Sequence, residues 1–161
     1  MFVWTLIIIA AIFLDQITKW LTVINLDLGE SFPLIQDVFH FTYVQNRGAA
    51  FGILKDHRWV FLVISSLAIV VMLIMLWKSR KDSRLLCIAL SMIIGGGIGN
   101  MIDRCILGYV IDFLDFTLIN FAVFNVADSF VCIGVGLFIL EIILELKKEI
   151  KDGKNKADAD N

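Results

Sequence analysis

Two aspartates, Asp112 and Asp128, are the residues best suited to chemistry in this sequence of 161 residues. No lysine or arginine lies three or four positions from either of them, so neither has a basic partner on its own helical face. Two carboxylates that lie close together share one proton, because both cannot readily ionise. Such a pair supplies a general base for water and a general acid for a scissile carbonyl group. If folding brings the two together, the sequence predicts an aspartic hydrolytic site.

Further polar residues recur at helical spacing within apolar stretches. Asp15 and Lys19 are four positions apart, and Asn100 and Arg104 have the same spacing, so each pair lies on one helical face. An ionisable group costs roughly 2.5–3.5 kcal/mol to insert into a membrane, which makes it a candidate for function. These residues equally suit a structural role, because polar pairs commonly hold membrane helices together.

The elements that position these residues are membrane-spanning helices. Hydrophobic residues make up 59% of the chain and charged residues 19%, and the mean hydropathy is +0.85. A bilayer-spanning helix needs about 20 mostly apolar residues. Four stretches meet this requirement, at about residues 3–24, 59–77, 85–104 and 125–146. We therefore expect a single all-α membrane domain over residues 1–161, with four transmembrane helices.

Basic residues give the orientation of the spans. The link between the second and third spans reads KSRKDSR, and five lysines follow the fourth span. Lysine and arginine are enriched in cytoplasmic loops, so we expect both termini in the cytoplasm. The first span is expected to be retained rather than cleaved as a signal peptide, because no basic segment precedes it and no A-x-A site follows it.

The segment at about residues 25–58 then lies outside the cytoplasm. Residues 37–44, DVFHFTYV, are rich in aromatic and β-branched side chains and predict a short strand or hairpin. We expect a small β-rich extracytoplasmic segment resting on the outer membrane surface. The tail at about residues 147–161 is polar and is expected to be disordered in the cytoplasm.

The polar residues gather at one depth. By helical rise, Asp15 and Asn100 lie about 20 Å from the inner ends of their spans, and Asp128 lies about 27 Å from the inner end of the fourth. The hydrocarbon core is about 30 Å thick. Spans of alternating direction therefore place one polar site near the outer leaflet.

Several other chemistries are disfavoured by the sequence. The net charge of −2 excludes a nucleic-acid binder that depends on a strongly basic surface. There is no H-E-x-x-H pattern, and both histidines lie in the outer segment, so a zinc peptidase and a Ser/His intramembrane peptidase are disfavoured. We expect no metal and no other cofactor. The glycine-rich run at residues 95–99 lacks a G-K-[ST] ending and suits close helix packing. The three cysteines are expected to pack as small hydrophobic residues.

Five short motifs occur in order along the chain: DQITK from residue 15, NRGAAF from residue 46, GNMIDR from residue 99, VIDF from residue 110 and FNVADS from residue 124. Together they closely resemble the bacterial lipoprotein signal peptidases, and the resemblance extends from Asp15 to the end of the fourth span. Each motif alone is weak, but five in order within a four-span protein are specific.

The resemblance implies an aspartic endopeptidase of the bacterial cytoplasmic membrane. Such enzymes cleave prolipoproteins immediately before a diacylglyceryl-modified cysteine and so release the signal peptide. By this resemblance the catalytic residues are Asp112 and Asp128, and the partners are modified prolipoproteins and membrane lipid, with the enzyme acting as a monomer. The other matching positions are expected to support the site or contact substrate: Asp15, Lys19, Asn46, Gly48, Ala49, Ala50, Phe51, Asn100, Arg104 and Asn125.

The sequence departs from the family pattern at two places. The stretch between Asp112 and Asn125 is short and has no proline before the Phe-Asn pair, and the N-terminus lacks basic residues.

Two other functions are alternatives to a peptidase. A small ion-coupled transporter would also use membrane carboxylates but needs a polar path to both faces, whereas the inner halves of the first three spans are nearly uniformly apolar. A non-enzymatic assembly protein would tolerate loss of either aspartate.

Overall fold

Four long helices form the body of the protein. The computed structural model describes residues 1–48, 58–81 and 83–159. The helices are α1 (Phe2–Asn25), α2 (Arg58–Ser79), α3 (Arg84–Ile106) and α4 (Val126–Ala159). Each contains a segment long and apolar enough to cross a membrane. The prediction of an all-α membrane fold with four spans is confirmed.

Helix α3 lies at the centre of the bundle and packs against the other three helices. Small residues allow this close approach, because a Cβ atom at Gly95 would lie 2.7 Å from the Ala11 Cβ of α1. A Cβ atom at Gly96 would collide with the Ala127 carbonyl oxygen of α4. The glycine run of α3 therefore serves helix packing, as the sequence indicated.

A three-stranded antiparallel sheet covers one end of the bundle. Its strands are β1 (Ser31–Ile35), β2 (Phe39–Asn46) and β3 (Val110–Asp115), in the order β1-β2-β3. The first two strands form a hairpin between the first two helices, where the sequence predicted a short strand or hairpin, and it turns at Asp37 with a left-handed φ of 58°. Since β3 connects α3 to α4, all three strands lie at the same end of the helices.

The register of β2 and β3 is the feature that matters for the site. Val44 pairs with Asp112 and Asn46 with Val110, after a bulge between Phe41 and Val44. Because side chains alternate between the two faces of a strand, this register fixes the face of β3 on which Asp112 lies.

The C-terminal segment differs from its prediction. We expected disorder from about residue 147, but α4 continues as a helix to Ala159. The segment contains lysine, glutamate and alanine, which favour helices, and no proline that would stop one. The helix therefore continues past the apolar span, and its side chains are exposed over residues 147–153.

The apolar core lies between α2 and α3 around Leu76, Leu90 and Ile94. Cys87 belongs to this core, as predicted for a small hydrophobic residue. Cys105 and Cys132 do not follow that prediction, because both are exposed on the surface of the bundle.

Candidate active site

Asp112 and Asp128 line one cavity of about 1270 Å³ at the junction of the helices and the sheet. Asp112 comes from the middle of β3, and Asp128 comes from the first turn of α4. Folding thus brings together two carboxylates from adjacent elements. The other sequence-predicted residues that line this cavity are Asn46, Gly48, Asn100 and Arg104.

Neutral amide groups hold both carboxylates. The Asn125 Nδ2 donates to Asp112 Oδ1 at 2.7 Å, and the Asn46 Nδ2 donates to Asp112 Oδ2 at 2.9 Å. The Asn100 Nδ2 donates to Asp128 Oδ1 at 2.7 Å. Asn125 is itself fully buried and also touches Asp128 through its backbone. Three asparagines, from β2, α3 and the position just before α4, therefore fix the orientation of the two carboxylates.

Burial sets the acidity of Asp112. The side chain is 2% exposed, and this loss of solvation raises its pKa from 3.8 to about 7, even though the amides of Asn46 and Asn125 favour the ionised form. The neighbouring Asp128 carboxylate acts in the same direction as burial. A carboxyl group with this pKa can hold or release a proton near neutral pH.

A buried ionic cluster lies beside the cavity. Lys19, which is 2% exposed, contacts Asp15 Oδ2 and Asp103 Oδ2, each at 2.9 Å. The spacing of Asp15 and Lys19 predicted this pair, while Asp103 joins it from α3. Lys19 also donates to Asn100 Oδ1 at 2.8 Å. Because Lys19 is only a donor, the Asn100 Oδ1 faces Lys19 and the Asn100 Nδ2 faces Asp128.

Asp15 connects α1 to the beginning of α4. Its Oδ1 accepts a hydrogen bond from the backbone N–H of Ala127 at 2.9 Å. The side chain has room because residue 99 is glycine, where a Cβ would lie 2.5 Å from Asp15 Oδ2. Asp15 therefore contributes to the site by holding the first turn of α4, which carries Asp128.

Arg104 and Gly48 meet at the rim of the cavity. The Arg104 Nη2 donates to the Gly48 carbonyl at 3.5 Å, and the Gly48 N–H donates to Asn46 Oδ1 at 3.0 Å. The second contact orients the Asn46 amide so that its Nδ2 reaches Asp112. The remaining residues of this motif, Ala49, Ala50 and Phe51, lie outside the described residues.

Two polar residues of this region were absent from the predicted site. Asp103 accepts hydrogen bonds from Gln16 Nε2 at 2.9 Å and from the Ile111 N–H at 3.1 Å. The two residues are Gln16, which belongs to the motif DQITK, and Asp103, which belongs to GNMIDR. Asp103 shares a helical face with Asn100, and this spacing was the signal available in the sequence.

Across residues 1–48, 58–81 and 83–159, no group of three or more His, Cys, Asp or Glu side chains could hold a metal ion.

Comparison with known proteins shows which family the sequence and the fold resemble. Residues 7–144 match the family described as signal peptidase (SPase) II. A lipoprotein signal peptidase of Brevibacillus brevis is 49% identical over 146 residues, which cover 90% of this chain and 98% of that protein. A lipoprotein signal peptidase of Bacillus subtilis is 42% identical over 149 residues, covering 91% and 95%. A bacterial membrane enzyme solved by the in meso method at 2.3 Å resolution has a TM-score of 0.81 and 32% identity over 92% of each chain.

Proposed function

This chain belongs to the signal peptidase II family, whose members remove signal peptides from prolipoproteins, and we propose that Asp112 and Asp128 are its catalytic pair. One observation carries the assignment. Among the described residues, the buried Asp15 and Asp103 are ion-paired with Lys19, whereas the buried Asp112 and the half-buried Asp128 are held by neutral amides and line the cavity. They are thus the carboxylates available for proton transfer.

The proposed chemistry is addition of water to the scissile carbonyl group. With one proton shared between the pair, the ionised carboxylate removes a proton from water while the protonated carboxyl donates to the carbonyl oxygen. Collapse of the tetrahedral intermediate breaks the C–N bond, and the pair returns a proton to the leaving amine. The pKa of Asp112, about 7, supports a pair that holds one proton near neutral pH.

The asparagines supply the positioning that this chemistry requires. Each oxygen of Asp112 accepts one amide hydrogen bond, so the carboxyl plane is fixed by Asn46 and Asn125. Asn100 fixes Asp128 in the same way. Preorganised groups of this kind avoid rearrangement at the moment of reaction.

We propose that the substrate is cleaved immediately before its diacylglyceryl-modified cysteine. The cavity joins the two aspartates to apolar residues of the segment before α4, including Phe121, Val123 and Phe124. A polar centre with an apolar wall suits a peptide bond next to a lipid-bearing residue. The exposed apolar surfaces of the helices support direct contact with membrane lipid.

The site is proposed to lie near the outer leaflet, with both termini in the cytoplasm. The sheet and the cavity share one end of the bundle, while the basic link between α2 and α3 and the extension of α4 lie at the other. The positive-inside tendency then assigns the sheet to the outside. We propose that the enzyme acts as a monomer, because a single chain supplies both aspartates and the three asparagines that hold them.

The direct test uses purified enzyme and a diacylglyceryl-modified prolipoprotein, with cleavage followed by the size shift on a gel. Asp112→Asn and Asp128→Asn are each expected to abolish cleavage while the variants remain folded. Asp115→Asn is the matched control, because Asp115 lies on the same strand, contacts Thr42 and is not part of the cavity wall. Cleavage by both Asp112→Asn and Asp128→Asn would reject the catalytic pair, and cleavage of an unmodified substrate would reject the lipid requirement.

A further inference from the structure

The carboxylate of Asp103 joins three elements at one buried point. Its Oδ1 accepts from Gln16 of α1 at 2.9 Å, and its Oδ2 contacts the Lys19 ammonium at 2.9 Å. The same Oδ2 accepts from the backbone N–H of Ile111 in β3 at 3.1 Å. The residue is 3% exposed. A single side chain of α3 therefore binds α1 on one side and β3 on the other.

The bond to Ile111 lies next to the proposed catalytic pair. Ile111 directly precedes Asp112, and its carbonyl oxygen accepts from Asn125 Nδ2 at 3.3 Å. The same Nδ2 donates to Asp112 Oδ1. A shift of Ile111 along or away from the helices would therefore change the contact between Asn125 and Asp112.

The position of β3 in the sheet makes this anchor important. β3 is the last strand of the sheet, so β2 supports only one of its edges. On the other edge, Phe113 and Leu114 donate to the Phe124 carbonyl, and Ile111 donates to Asp103. Asp112 is thus flanked by one anchor on each side, and the anchor before it connects the strand to α3.

The need to neutralise Lys19 does not account for Asp103. Lys19 carries one positive charge, and Asp15 supplies a matching negative charge at the same distance of 2.9 Å. A second buried carboxylate adds a cost of desolvation that a neutral side chain would avoid. Besides its contacts with Gln16 and Lys19 of α1, the Asp103 carboxylate makes the hydrogen bond to Ile111 of β3.

We propose that Asp103 is a positioning residue. It holds β3 in the position in which Asp112 contacts Asn125 and shares the cavity with Asp128. This inference rests on the proposed catalytic pair. Asp103 is not among the residues that line the cavity, and it acts through the backbone of Ile111. Charge-assisted hydrogen bonds to a carboxylate are stronger than neutral ones, which suits an anchor that must keep a strand edge in place.

The first test is Asp103→Asn. The asparagine keeps the shape of the side chain but has one acceptor oxygen, whereas Gln16 uses Oδ1 and both Lys19 and Ile111 use Oδ2 of the aspartate. Either the bond to Ile111 is lost or it becomes a weaker bond to a neutral acceptor. We expect kcat to fall by about 10-fold or more, because small displacements of catalytic groups have effects of this size. KM should change by less than about two-fold, since the substrate contacts remain. The alkaline limb of the pH profile should also move.

Asp115→Asn is the matched control, because it weakens a contact of the same strand at its far end. It should retain wild-type kcat and the wild-type pH profile. If Asp103→Asn lowers only the thermal stability, with kcat and the pH profile unchanged, the residue is merely structural and the proposal is overturned. The same conclusion follows if both variants reduce kcat equally.

A second variant removes the anchor without changing a side chain in the ionic cluster. Nonsense suppression with the α-hydroxy analogue of isoleucine at position 111 replaces the Ile111 amide by an ester, so its N–H is lost while Asp103, Gln16 and Lys19 are kept. A lower kcat with unchanged KM supports the proposal even if Asp103→Asn does not fold, and wild-type kcat overturns it. Asp112→Asn and Asp128→Asn are assayed in parallel. Cleavage by both variants rejects the catalytic pair, whereas two inactive aspartate variants beside a fully active ester variant reject only the positioning role.

Discussion

Asn125 and Asp128 cap the beginning of α4 reciprocally. The Asp128 N–H donates to Asn125 Oδ1 at 2.9 Å, and the Asn125 N–H donates to Asp128 Oδ2 at 3.3 Å. This is the arrangement of a capping box, with an aspartate at the third helical position. The contact that starts the helix also holds one of the two proposed catalytic carboxylates, so local helix chemistry and the site depend on the same pair.

Replacement of Asn125 separates these two roles. Asn125→Ser keeps an oxygen that can accept the Asp128 N–H but removes the Nδ2 that donates to Asp112, so kcat should fall by about 10-fold or more at nearly wild-type stability. Asn125→Ala also removes the cap and should lose about 1 kcal/mol of stability in addition. Steady-state kinetics and thermal unfolding in detergent measure the two effects. Wild-type kcat in Asn125→Ser would show that the Asp112 contact is dispensable.

The activity should decline at alkaline pH. Burial raises the pKa of Asp112 to about 7, so above this pH the pair loses its shared proton and with it the general acid. We expect kcat/KM to fall as the pH rises above about 7, measured from about pH 5.5 to about pH 9 with a substrate that has no titrating group beside the cleaved bond. A profile that stays level to the upper limit would contradict the assignment.

The same pKa predicts how stability responds to pH. The folded-state pKa of Asp112 lies above its ordinary value of 3.8, so the native state binds more protons than the unfolded state between these values. The contribution of Asp112 to the free energy of unfolding should therefore decrease as the pH rises from about 4 to about 7 and remain level above that. Comparison of Tm with that of Asp112→Asn across this range isolates the effect. An identical pH dependence of Tm in the wild type and in Asp112→Asn would contradict the predicted contribution of Asp112.

Lys19→Met should be strongly destabilising. The substitution leaves the carboxylates of Asp15 and Asp103 buried without their cation, a change that costs about 3–5 kcal/mol in comparable cases. Thermal unfolding in detergent measures the loss. Lys147→Met, at an exposed position of α4, is the control and should change stability by less than about 0.5 kcal/mol. Equal stability of the two variants would show that the buried cluster contributes no more than a surface lysine.

Gly99→Ala tests the close approach of α1 and α3. The new Cβ would lie 2.5 Å from Asp15 Oδ2, so Asp15 or the whole helix must move. We expect a loss of about 1–3 kcal/mol together with reduced activity, since Asp15 holds the Ala127 N–H. The control is Gly136→Ala, where the added Cβ meets no atom within 4 Å. A Tm for Gly99→Ala equal to that of Gly136→Ala would contradict this account.

The helices and their polar residues were predictable because their signals are local. Uninterrupted apolar runs of about 20 residues define the spans, and a separation of four positions places Asp15 beside Lys19 on one face. The convergence of Asp15, Asn100 and Asp128 followed from helical rise alone. The hairpin was visible in the aromatic and β-branched residues of DVFHFTYV.

The strand β3 was not visible in the same way. VIDFLD follows an apolar span almost directly and is itself mostly apolar. Its strand structure depends on pairing with β2, where Val44 and Asp112 are far apart in sequence. The role of Asp103 was hidden for the same reason, since its partner is a backbone N–H of that strand. The continuation of α4 was missed because polarity was taken as disorder, although its residues favour a helix.

The bond between Asp15 and the Ala127 N–H has a consequence for biogenesis. It joins residues 112 positions apart, and chains are synthesised from the N-terminus, so α1 enters the bilayer long before α4 exists. During that interval the charges of Asp15 and Lys19 can neutralise each other within α1, because they are one turn apart. The contacts to Asn100, Asp103 and Ala127 form only as the later helices arrive. Insertion of the last helix therefore completes the proposed site, because until then the chain lacks Asp128, one of the two proposed catalytic carboxylates.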